Sequence, residues 1–230
     1  MSGNNKPGLF IAVEGMDGCG KTTIVQYLVD KLHEFGSKTI ATYEVGGTAI
    51  GKELRNLCFK KREDEPVDPL ARLLMVYAAR IQHIRNVIKP GLEEGYNVVT
   101  DRYNISTKVY QGILDQLSSK MDLIEAAINR DTGLGLVPNV VIFLDVDPDV
   151  AYSRGTARVA VDNDAYKNDI EKARKIGGIY RGILARHKAK YPNSVVYEID
   201  ANQSIEFVKS EIDILIESLA PQLNVYEKTN

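Results

Sequence analysis

The sequence has only two cysteines in 230 residues, Cys19 and Cys58. They fit no metal-ligand spacing and suit a reducing compartment, so neither a disulfide framework nor a structural zinc is expected. An excess of charge is lacking too: 29 Lys and Arg stand against 31 Asp and Glu, a formal net charge of -2. That excludes a strongly basic nucleic-acid coat, although a local basic patch would not show in the sum. No apolar run approaches the ~18 residues of a membrane span. Met1 to Gly8 is polar, without the hydrophobic segment of a secretory leader. Neither a nucleic-acid partner nor a membrane one is expected, and the cytoplasm is the expected location. Internal repeats and low-complexity segments are missing as well. What is present is ordinary: 44% hydrophobic and 26% charged residues, at a length that one domain spanning 1–230 fills with an ample core.

Strand and helix patterns alternate along the chain. Short apolar runs predict strands at Leu9 to Glu14, Thr39 to Glu44, Tyr96 to Thr100, Val140 to Val146 and Ser194 to Ile199. Between them, Lys21 to Phe35 places Ile24, Leu28, Leu32 and Phe35 on one helical face, with Gly36 as its stop. Thr48 to Lys60 and the long stretch Leu70 to Leu92 also read as helices, separated by a charged loop. Continuous apolar strands between helices predict an α/β fold with a parallel sheet covered on both faces. The polar stretch Gly155 to Asn168 interrupts two helical patterns and reads as either a mobile lid or a plain surface loop.

The most specific signal is Gly15-Met16-Asp17-Gly18-Cys19-Gly20-Lys21-Thr22, which fits G-x-x-x-x-G-K-[ST] between a predicted strand and a predicted helix. Such glycines let the backbone wrap phosphate oxygens with its N–H groups, and the helix N-terminus adds partial positive charge. Lys21 would bridge the β- and γ-phosphates, and Thr22 would place its hydroxyl on Mg²⁺. ATP or GTP binding follows. A P-loop alone names no reaction, but a guanine-reading N-K-x-D element is absent and the chain is short for a motor. A small-molecule phosphotransferase fits best.

A second site is signalled at strand ends, where open parallel sheets bind ligands. Asp101 could hold Mg²⁺ directly or through water, since hard oxygen donors suit that ion. Arg102 is a rigid charged fork suited to phosphate, or else to a salt bridge with an acid such as Asp101. Arg80 lies on a helix whose neighbours look buried, so it needs a partner: a ligand carbonyl or carboxylate, or an internal ion pair. Glu14 reads equally as an organiser of magnesium waters or as a structural acid at a strand end.

Five segments in order resemble the thymidylate kinase family of P-loop nucleoside monophosphate kinases: Glu14 to Thr23, Glu44 to Thr48, Tyr77 to Arg80, Asp101 to Gly112 and Leu144 to Pro148. The resemblance runs from about Leu9 to Leu219. It implies a P-loop NTPase fold with a five-stranded parallel sheet in order 2-3-1-4-5, a LID at about 151–170, and a homodimer. It implies transfer of the γ-phosphoryl of MgATP to the 5′-phosphate of dTMP. Residue by residue, it implies ATP binding by Gly15, Asp17, Gly18, Cys19, Gly20, Lys21, Thr22 and Thr23, with Thr22 and Asp101 at the metal. Asp17 would contact the sugar 3′-hydroxyl, Arg102 the acceptor phosphate and Tyr110 the 2′ position. Arg80, Thr107 and Gln111 would line the thymine edge, with Arg55 near the base. Position 18 is Gly rather than arginine, so a LID arginine, Arg154 or Arg158, would supply transition-state charge; the alternative is a pair of solvated loop arginines.

Two departures from the family pattern bear on the substrate. Val76 stands where an aromatic often stacks on thymine, and Tyr77, one residue on, should point about 100° away. Tyr43 and Val45 replace the Arg and Pro of R-E-P-G-G-T. A reshaped acceptor site is one consequence, which leaves open another or base-modified deoxynucleotide. A kinase of the same fold acting on another metabolite, and an inactive nucleotide-binding regulator, are the further readings.

Overall fold

A computed structural model describes residues 6–60, 64–132, 135–156 and 170–226. Strands β1 (Phe10–Glu14), β2 (Thr39–Tyr43), β3 (Asn97–Asp101), β4 (Val140–Asp145) and β5 (Val195–Asp200) form one sheet. All its pairings are parallel and its order is β2-β3-β1-β4-β5. Every residue of β1 is buried, whereas the edge strands β2 and β5 are largely open. This is why the central strands read as unbroken apolar runs and β5 reads as mixed.

Successive β1 residues feed opposite faces of the sheet. Ile11 and Val13 pack with helices α1 (Lys21–Glu34), α8 (Ile170–Lys190) and α9 (Ile205–Leu219), while Phe10 and Ala12 pack with α3 (Pro69–His83). Between these come α2 (Ala49–Phe59), α4 (Lys89–Glu93), α5 (Asn104–Thr107), α6 (Ser118–Thr132) and α7 (Pro148–Thr156). Helix starts follow side-chain capping: Thr48 Oγ1 accepts from Gly51 N, and Asp68 accepts from Leu70 N and Ala71 N ahead of Pro69. Gly36, at φ 84°, turns the chain after α1, as expected.

The long helix expected over Leu70 to Leu92 is not uniform. It runs as α3, a π-helical turn at Ile84–Ile88, and then α4. Pro90 explains the break: its ring would crowd the carbonyl four residues back, and a wider turn just before it gives room. A further π turn, Lys108–Leu114, extends α5. Beyond the 3-10 turn Ala220–Gln222, the chain runs back to pair Val225 with Ser37. The expected LID falls mostly outside the described residues: α7 continues through Gly155 to Thr156, and 157–169 are not described. Among the described residues, no helix is long and apolar enough to cross a membrane.

Candidate active site

The loop from β1 to α1 is built around glycine. Gly15, Gly18 and Gly20 have φ of 148°, 83° and 95°, a region that L side chains rarely enter. A Cβ on Gly15 would also lie 2.9 Å from the Leu144 carbonyl oxygen. Lys21 is buried and donates from Nζ to the carbonyls of Gly15 (3.0 Å) and Met16 (2.8 Å). It is thus held inside the loop whose anion it would neutralise. Thr22 Oγ1 donates to Asp101 Oδ2 at 3.3 Å. Pairing of Val13 with Asp101 brings the two strand ends together. Asp101 Oδ1 is buried and has no hydrogen-bond partner among the described residues. A hydroxyl beside a carboxylate with a spare oxygen is a donor set that suits Mg²⁺ and its waters.

Arg102 follows at φ 69°, a strained conformation for a side-chain-bearing residue. Its Nη1 donates to Gly15 O, Ser106 Oγ and Tyr180 OH, and its Nη2 to Asp17 Oδ1 at 2.6 Å. The expected salt bridge is therefore made with Asp17 and not Asp101. Burial works against the charge, but Asp17 leads the neighbours that hold the guanidinium well above its ordinary pKa. The Tyr110 ring lies 5.4 Å from this guanidinium, and its hydroxyl points to Asp17 Oδ2.

Arg80 lies deeper in the same cleft. Its Nε donates to Glu44 Oε2 at 2.7 Å and its Nη2 to Thr107 Oγ1 at 2.6 Å. Nη1 has no partner among the described residues. Glu44 Oε1 meets His83 Nδ1 at 3.2 Å, and His83 Nε2 meets Thr42 Oγ1 at 2.7 Å. Burial alone would raise the Glu44 carboxyl; Arg80 and His83 outweigh it and hold the group below its ordinary value. The internal ion pair and the ligand-facing arginine thus coincide in one residue. Asp17, Arg55, Arg80, Arg102, Thr107, Tyr110 and Gln111, expected at the acceptor, all line one cleft. Arg55 is steadied there by a bond from Nη1 to Val45 O at 3.1 Å.

Glu14 is structural. It is fully buried and accepts from Tyr103 N, Ser106 N and Ser106 Oγ, so it caps the short helix that carries Thr107. Burial raises its pKa, only partly offset by the Ser106 bond and Arg102. Arg154 lies elsewhere, in a separate cleft with Gly18, Cys19, Gly20, Gln203 and Ile205, donating to Ala201 O at 2.9 Å. Arg158 is outside the described residues. Thr23 is exposed on the first turn of α1.

Val76 lines the same cleft as Arg80, whereas Tyr77 points away and donates to Glu125 Oε1 at 2.9 Å, as the helical rotation requires. The Tyr43 ring lies over Gly46 and is absent from the cleft lining. The Glu44–Val45 peptide is cis. Sequence reasoning gave no role to Glu44, His83, Ser106, Tyr180 or Phe59. The Y-A-A-R spacing flagged Arg80, but nothing local marks Glu44, 36 residues away, as its partner.

Residues 13–212 match the family model described as thymidylate kinase. A thymidylate kinase of Francisella philomiragia is 33% identical over 209 residues, covering 90% of this chain and 97% of that protein. One from Francisella tularensis subsp. novicida is 35% identical over 208 residues, covering 90% and 95%.

Proposed function

The chain belongs to the thymidylate kinase family, and on that premise we propose that it moves the γ-phosphoryl group of ATP to the 5′-phosphate of dTMP, giving dTDP and ADP. One observation carries the reading: Arg102 reaches from the P-loop carbonyl of Gly15 to the acceptor cleft, so one guanidinium joins the donor and acceptor halves.

The acceptor phosphate oxygen is already a nucleophile at neutral pH, so the protein's task is to align two anions and screen their repulsion. Lys21 would exchange its carbonyl partners for phosphate oxygens. Arg102 would turn its fork to the acceptor phosphate, releasing Asp17 toward the sugar 3′-hydroxyl. Thr22 and Asp101 would hold Mg²⁺, which when bound neutralises phosphate charge and orients the oxygens. Tyr110, fixed beneath Arg102, would crowd a 2′-hydroxyl. Arg80 would offer its Nη1 protons to a base carbonyl, which favours thymine over cytosine, whose amino group faces the same edge. Arg154, beside Gly18 to Gly20, would serve the donor nucleotide, which leaves transition-state charge to Arg102 and Arg158.

We further propose that residues 1–230 work as one kinase domain with 151–170 as its lid, in a reducing cytoplasm that suits the free cysteines Cys19 and Cys58. We also propose a homodimer.

The test is ADP release from MgATP with dTMP, dUMP, dCMP, dAMP and dGMP in turn. Turnover should peak with dTMP and fall by about 10²–10³ in Lys21→Ala, the scale set by removing one preorganised charge donor. A peak with another nucleotide, or turnover that survives Lys21→Ala, would overturn the assignment.

A further inference from the structure

The acceptor cleft presents three aromatic side chains among its described residues, Phe59, Tyr103 and Tyr110. Two are already committed. Tyr103 is 1% exposed: it meets Phe10 edge-to-face at 4.9 Å, its ring is covered by the Arg80 guanidinium at 4.9 Å, and its hydroxyl donates to Leu136 O. Tyr110 is held between Arg102 and Tyr180, at the Asp17 end of the cleft. Phe59, the last residue of α2, is half-buried and packs against the cluster of Val45, Cys58, Val76 and Ala79. It also packs against the larger cluster that includes Tyr110, and with Val76 it lines the cleft that Arg80 and Thr107 line.

We propose that Phe59 is the aromatic platform for the acceptor base, so that α2 supplies the stacking surface that Val76 on α3 does not. The inference rests on the functional reading above and identifies the residue that reads the base by its face, while Arg80 reads it by its edge. A pyrimidine ring offset over Phe59 gains the preferred geometry of stacked π systems. The platform is rigid. Cys58 is buried, and its carbonyl accepts from Arg72 Nε at 3.2 Å, which fastens the end of α2 to α3. Arg55, one helical turn before Phe59, is anchored on Val45 O with its guanidinium 5.8 Å from the ring centroid. A cation there polarises the ring that the base would meet.

The experiment compares Phe59→Leu with Phe59→Tyr in the full chain. In Phe59→Leu, KM for dTMP should rise about tenfold, the scale of one lost aromatic pair, with KM for ATP and kcat within about twofold. Phe59→Tyr, which keeps the ring, should hold KM for dTMP within about twofold of the parent. Deoxyribose 5-phosphate, which has no base, should inhibit parent and Phe59→Leu equally. An unchanged KM for dTMP in Phe59→Leu overturns this inference alone. So does an equal loss of deoxyribose 5-phosphate binding, which would mark a structural role. A parent chain that does not turn over dTMP overturns the functional reading, and this inference with it.

Discussion

At Glu44 one buried carboxylate serves two side chains, Arg80 and His83, while Arg80 goes on to Thr107 and His83 to Thr42. Such a pair is weak evidence for stability when intact, but breaking it is costly because a charge is left behind. Glu44→Gln should therefore lose about 3 kcal/mol at pH 7, measured by chemical denaturation. The pH dependence has a definite sign. The folded-state pKa of Glu44 lies below its ordinary 4.5, so its contribution is full above that value and fades as pH falls through the folded one. The gap between parent and variant should close on acidification below about 4.5. A gap that stays constant through that range would refute the assignment. Glu14 runs the other way: its raised pKa makes the ionised form a burden at neutral pH, relieved on protonation. Arg80 could be picked out in the sequence because a charge sat among apolar helix neighbours. Glu44 could not be given its role, because a carboxylate at a strand end looks the same whether it faces solvent, metal or arginine.

At the scale of elements, α8 is fastened to the start of β5. His187 Nε2 donates to Ser194 Oγ (2.9 Å), and Ser194 passes its own proton to Pro138 O (2.7 Å). His187 Nδ1 is buried and unpartnered among the described residues. Burial, and secondarily Lys108, push its pKa down to about 4. Because this lies below the ordinary 6.5, the stability it confers is complete above 6.5 and drains as pH falls toward 4. The expected slope is about 1.4 kcal/mol per pH unit in that window. Denaturation curves at pH 7, 6 and 5 should show it for the parent, and a flatter profile for His187→Gln. The strands and the first helices were legible, because each central strand is a short apolar run and α1 to α3 keep their period, whereas α5 to α9 were not placed. The π turns were not: periodicity over five or seven residues cannot separate them from α-helix, and only Pro90 hinted at the first.

For the whole molecule, the feature that bears on assembly is the outer face of α2 and α3. Ile50, Leu57 and Leu74 are exposed there, at 54%, 44% and 48%, on two helices that pack against each other. Exposed apolar groups on adjoining helices suit an interaction surface, and in the proposed homodimer a second copy of the chain would cover it symmetrically. Leu57→Glu with Leu74→Glu should give monomers by light scattering, where the parent should give dimers. A monomeric parent would refute the homodimer. The sheet order came from the resemblance rather than from patterning, since nothing within a strand reports its neighbours. The residues expected at the acceptor, which the structure gathers in one cleft, were named for the same reason, since all but Arg55 travel in compact motifs. Tyr180 and Phe59 stand outside those motifs, on helices whose sequence marks only their buried stripe.

The chain of bonds from Thr42 through His83, Glu44 and Arg80 to Thr107 also has a historical consequence. A lineage cannot exchange one of its charges alone without passing through an ancestor that buries the other uncompensated. Glu44 and Arg80 should therefore be inherited as a unit, and the base preference proposed for Arg80 with them. Phe59 and Val76 carry no charge and no hydrogen-bonding side chain. Exchanges there leave no buried charge behind, so divergence among descendants should reach Val76, and Phe59 as far as a ring is kept, before it reaches Glu44 and Arg80.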